Sequence, residues 1–111
     1  RWYRLRFRDV PDSAVDAVRA LDVSLLQERV LGPVLGIENP RTSPRLDFVG
    51  GRAALEKLEE AVRLGRAVCA FAMYPTRLEE LLAIADCGQI MPPKSTWFDP
   101  KLRDGLFIHL L

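Results

Sequence analysis

Apolar and polar side chains alternate one for one over residues 2–8, with Tyr3, Leu5 and Phe7 on one side of an extended chain and Arg4, Arg6 and Arg8 on the other. The alternation predicts a half-buried strand with an arginine face. Pro11, Asp12 and Ser13 then mark a turn and a cap for a short helix over 14–20. From Asp22 the period lengthens to that of a helix, with Val23, Leu26, Val30 and Leu31 inward and Gln27, Glu28 and Arg29 outward. Gly32-Pro33 must end or kink this helix near residue 31, because proline lacks an N–H and its ring clashes one turn back. Val34, Leu35 and Ile37 keep the chain on the core through a second short turn ending at Gly36. Residues 38–45, with Pro40 and Pro44, read as a loop.

Leu46 to Val49 predicts a short strand running into Gly50-Gly51. A helix over 52–64 follows, apolar at Leu55, Leu58 and Val62, with Gly65 just past its end. Ala67 to Met73 is almost wholly apolar and reads as an interior strand. Strand, helix and buried strand in that order make a βαβ unit with parallel strands and a right-handed crossover. Thr76 with Glu79 forms a capping-box pattern ahead of a helix that ends near Gly88. Residues 95–98 and 106–110 read as the two arms of a hairpin. The expected fold class is α+β: a mixed β-sheet of about five strands with three or four helices, containing one βαβ unit and a C-terminal hairpin, in a single domain over residues 1–111.

Composition narrows the function classes. Sixteen basic against fifteen acidic residues leave a net charge of +1, which gives no electrostatic footprint for nucleic acid or an anionic membrane. No run approaches the roughly 18 apolar residues of a membrane span, and no signal-peptide pattern is present, so the expected compartment is the cytoplasm. Cys69 and Cys87 fit neither a disulfide framework nor a metal site and read as buried reduced thiols. His109 is the single histidine, so neither a zinc cluster nor a catalytic triad suggests itself, and no cofactor is named. The chain starts at Arg1 and a strand pattern starts at once, the expectation for the C-terminal portion of a longer protein.

One stretch is hard to explain by core and surface alone: Met91-Pro92-Pro93-Lys94-Ser95-Thr96-Trp97-Phe98. Two prolines stiffen the chain, and an ammonium and two hydroxyls follow, together with backbone amides not committed to a helix. Convergent donors behind a rigid lead-in suit an anion or phosphate, so Lys94, Ser95 and Thr96 are the leading ligand-binding candidates. The glycines and strand–helix setting of a Walker loop are absent. The competing reading has the hydroxyls bonding nearby backbone in a turn and the lysine in water. Gly50, Gly51 and Arg52 precede a helix N-terminus, a second place that favours an anion. Asp99, Asp104 and Asp47 are the neighbouring carboxylates, suited to act as a base or to hold a magnesium ion, with Asp99 the candidate catalytic base; Asp99 before Pro100 and Asp104 before Gly105 read equally as turn formers.

The same stretch, with Pro100-Lys101-Leu102 and Gly105-Leu106 after it, resembles the C-terminal signature of a bacterial and archaeal family known as domain of unknown function 1015 (DUF1015). Leu21 to Leu26 and Pro33 to Ile37 resemble that family's upstream block. Gln27, Gly32 and Tyr74 depart from its pattern, where a histidine, an acidic residue and an asparagine are usual. Some members carry labels linking them to ParB-like proteins, a wider group that includes kinases acting on free serine. The resemblance therefore implies that Lys94, Ser95 and Thr96 bind a phosphoryl group on a small molecule, with Asp99 near the acceptor hydroxyl. The alternative is a non-catalytic structural or interaction domain that packs on the N-terminal part of the same protein or on a second copy as a homodimer.

Overall fold

The computed structural model describes residues 1–96. Its first helix, α1, spans Asp22–Leu26 and widens without a break into a π-helical turn over Gln27–Leu31. The widening is visible in the bonding, since the Gly32 N–H donates to the Gln27 carbonyl at 3.0 Å and the Leu35 N–H to the Val30 carbonyl at 3.1 Å, five residues back in each case. Pro33 follows Gly32 just past this turn, and its missing N–H leaves a gap in the ladder, beyond which the Val34 N–H still reaches the Val30 carbonyl at 3.0 Å. One more turn follows, and the Ile37 N–H closes it on the Leu31 carbonyl at 2.7 Å. Helix α2 spans Ala54–Arg63 and helix α3 spans Leu78–Asp86. Both end at a glycine in the left-handed region, Gly65 at φ 70° and Gly88 at φ 65°, a conformation that a Cβ would strain.

By its internal packing the chain divides into two compact units, one of Arg1–Phe48 with Ala72–Ser95 and one that holds Val49–Phe71 and Thr96 among the described residues. The first has a core of Leu21, Leu25, Leu26, Leu31, Ile37 and Ile84, contributed by α1 and its π turn, the loop after it and α3. Gln27 ties that loop down from the half-buried side of the π turn, its Nε2 donating to the carbonyls of Ile37 at 2.7 Å and Glu38 at 3.3 Å. At the surface, Arg19 makes two bonds of 3.2 Å to the Glu28 carboxylate, which hold its guanidinium protonated more firmly than usual. Arg29 lies over the Phe7 ring and donates to the Asp9 carbonyl, anchoring the N-terminal segment. In the second unit the described part of α2 buries no residue fully, and Leu55 is 58% exposed.

The expected α+β sheet is overturned. Among the described residues there are three helices and no β-strand. The segments 2–8, 46–49 and 67–73 carry strand patterns but form no ladder, so the βαβ unit is absent. Tyr3 and Leu5, expected inward, are 79% and 57% exposed, and Val68 is 99% exposed. The physical reason is that alternation specifies which face a strand would bury, while a strand also needs a neighbour to accept its N–H groups and donate to its carbonyls. The helix expected over 14–20 is instead a series of turns, begun by Asp12, whose Oδ1 accepts from the Ala14 N–H at 2.9 Å. The arms of the expected hairpin lie almost wholly outside the described residues.

Candidate functional site

Prolines at 92 and 93 leave the chain few conformations, and the residue after them adopts one that is uncommon for its type. Lys94 has φ 58°, and among the described residues it is the one non-glycine residue in the left-handed region. Proline followed by a positive-φ residue is the order that a type II turn demands, with glycine or asparagine normally in the second place. The Ser95 hydroxyl closes this turn by donating to the Pro92 carbonyl at 2.7 Å. The Ser95 carbonyl in turn accepts from the Thr76 hydroxyl at 2.8 Å. The turn is thus pinned to the segment that leads into α3, and Lys94 projects from a fixed point.

That segment supplies the opposite wall. Pro75 biases Tyr74 away from helical backbone, and α3 begins three residues after the proline. The N-cap is Arg77 rather than Thr76, and the reciprocal carboxylate is Glu80 rather than Glu79. Glu80 Oε2 accepts from the Arg77 N–H at 2.8 Å, and its Oε1 pairs with the Arg77 guanidinium at 3.2 Å. The one-residue shift frees the Thr76 hydroxyl for the Ser95 carbonyl.

Between these walls and the start of α1 lies a hollow of about 370 Å³. Its polar lining consists of Asp22, Thr76, Arg77, Glu80, Lys94 and Ser95, and its apolar lining of Leu21, Val23, Met73, Tyr74 and Pro75. Two cations face two carboxylates, so the formal charge of the lining is zero. Glu80 is engaged by Arg77, whereas Lys94 and Asp22 make no ion pair among the described residues. An anion entering the hollow would therefore be held by directed donors rather than by net field.

Of the residues singled out in the sequence, Lys94 and Ser95 are brought to this hollow. Thr96 is exposed and belongs to the second unit. Gly50, Gly51 and Arg52 belong to that unit as well, in the turn before α2, where Gly51 adopts φ 89°. Asp47 is exposed and accepts from the Phe48 N–H at 2.8 Å, a local turn bond. Asp99, Asp104 and His109 lie outside the described residues. Cys69 and Cys87, expected buried, are both exposed and unpaired. Sequence reasoning missed Asp22, Tyr74, Thr76, Arg77 and Glu80 as site residues. The available signal was an aromatic residue locked ahead of Pro75 and an arginine placed before two adjacent glutamates.

Among the described residues, no group of three or more His, Cys, Asp or Glu side chains is arranged to hold a metal ion, and no helix is long and apolar enough to cross a membrane. No family model, curated protein or solved structure matches the chain.

Proposed function

We propose that the first unit is an anion-binding module whose ligand carries a phosphoryl group, received by the Lys94 ammonium with the Arg77 guanidinium on the facing wall. The observation that carries the reading is the backbone of Lys94. A lysine at φ 58° costs about 1 kcal/mol relative to a residue that adopts this region freely. Strain of this kind persists where the surroundings over-determine it, and it clusters at ligand sites. Glycine would make the same turn without the penalty, so what lysine adds is its charge beside a hollow. The resemblance of residues 91–98 to the signature of domain of unknown function 1015 points the same way and extends the reading to one part of a small-molecule kinase of the free-serine type. In that extension Asp99 accepts the proton of the acceptor hydroxyl, and catalysis is positioning and charge stabilisation. Two exposed, unpaired thiols suit a reducing compartment such as the cytoplasm.

A second reading, in which the turn is purely structural, draws on the hydroxyl of Ser95, whose proton is committed to Pro92. Titration of phosphate and pyrophosphate into the 111-residue chain and its Lys94→Gly variant separates the two. The anion reading requires binding that falls at least about tenfold in the variant while the midpoint of unfolding holds or rises. Binding that is absent in the parent chain, or equal in both proteins, leaves the structural reading.

A further inference from the structure

We infer that the ligand of this hollow is an organic phosphate bearing a flat ring, with the ring stacked on Tyr74; the inference rests on the anion-binding reading and names the ligand class for the same site. The first observation is size. A volume of about 370 Å³ equals the room of roughly a dozen waters at about 30 Å³ each, so an inorganic phosphate fills only a small part of it. It also falls within the usual range for sites that enclose a small organic molecule.

The second observation is the division of the lining. Lys94 and Arg77 supply the donors, the hydroxyl protons of Ser95 and Thr76 being committed to the Pro92 and Ser95 carbonyls, while Met73 and Tyr74 supply apolar surface that the first unit leaves in water, with Tyr74 80% exposed. A large aromatic ring exposed beside a concavity is the kind of surface that a ligand covers. Pro75 biases Tyr74 away from helical backbone, and the Thr76–Ser95 bond holds the chain two residues on, so the ring is carried on a restrained segment and loses less freedom when it stacks. The third observation is charge. With the lining summing to zero, the phosphoryl group alone gains no net field, and the organic part has to contribute through contact with the apolar wall. A ring suits the face of Tyr74 better than an alkyl chain, because stacking on an aromatic face adds to plain area burial.

Two probes of equal charge test this: phenyl phosphate and methyl phosphate, titrated into the 111-residue chain and its Tyr74→Phe, Tyr74→Ala and Lys94→Gly variants. Phenyl phosphate is expected to bind about tenfold more tightly than methyl phosphate, the lower part of what stacking on one aromatic ring supplies. Tyr74→Phe keeps that preference. Tyr74→Ala removes it and leaves methyl phosphate affinity within about twofold, since a ring 80% exposed contributes little to folding. Equal affinities for the two probes in the parent chain, or a preference that survives Tyr74→Ala, overturns the ring while the anion site stands. Binding of neither probe, or binding indifferent to Lys94→Gly, overturns the anion site and the ring with it.

Discussion

The Thr76 hydroxyl donates to the Ser95 carbonyl at 2.8 Å across a separation of 19 residues. This single bond joins the segment that starts α3 to the turn that carries Lys94, and the two make facing walls of one hollow. The side chain that the sequence assigns to capping a helix instead sets the width of a site.

Thr76→Val keeps the shape and deletes the donor, leaving a part-buried carbonyl without its partner. The expected cost is about 1 kcal/mol of unfolding free energy, recovered in Thr76→Ser. Denaturant unfolding followed by circular dichroism reads both. A loss no larger than a few tenths of a kcal/mol in Thr76→Val would mean that the two walls hold their separation without it.

Lys94→Gly should leave stability unchanged or raise it by up to about 1 kcal/mol, because relief of the left-handed strain opposes the greater freedom of glycine in the unfolded chain. Lys94→Ala keeps the strain and gains nothing. A thermal melt that ranks alanine above glycine would contradict the backbone conformation on which the site depends.

Glu80 both caps α3 and neutralises Arg77. Glu80→Gln retains an acceptor for the Arg77 N–H and removes the charge, at a cost of about 0.5 kcal/mol for a pair with an exposed guanidinium near a helix N-terminus. The guanidinium is then released toward the hollow, and phosphate affinity should rise severalfold. Asp22→Asn should move affinity in the same direction, since its carboxylate shares the lining with Lys94. Weaker phosphate binding in both variants would show that the carboxylates contact the ligand's partner groups instead of repelling it.

Gln27 donates to two carbonyls through Nε2, while its Oε1 is buried with no hydrogen-bond partner. Gln27→Met removes the donor that holds the loop at Ile37 and Glu38, and the orphaned oxygen with it. The two effects oppose each other, so the expected loss is about 1 kcal/mol rather than the 2 to 3 of a fully uncompensated carbonyl, roughly. Chemical denaturation with an unchanged m-value is the supporting outcome, and a loss above about 2 kcal/mol would show that Oε1 has a partner in solution.

Ile84 is 1% exposed, and Leu55 on the described part of α2 is 58% exposed. Ile84→Ala should cost about 2 to 5 kcal/mol and Leu55→Ala under about 0.5. Similar losses from the two substitutions would mean that α2 buries its apolar stripe in solution.

The helices were legible because their signals are local. Apolar spacing from Asp22, the disturbance around Pro33 and the glycines at 65 and 88 act through bonds within a few residues of one another, and each appears in the structure near its expected place, whereas the helix expected over 14–20 gives way to turns. The sheet was misread because residues 2–8 and 67–73 announce only a preference for extended backbone. Whether Tyr3 or Val68 finds a ladder partner is settled by segments far away in the chain. The site divides along the same line. Lys94 and Ser95 stood out by type and by the prolines before them, whereas Arg77, Glu80, Tyr74 and Asp22 became site residues only when Thr76 reached Ser95 and brought three separate stretches around one hollow. Sequence alone determined the local conformations; tertiary structure decided which of them would meet, because closing a contact over 19 or more residues costs chain entropy that no local pattern records.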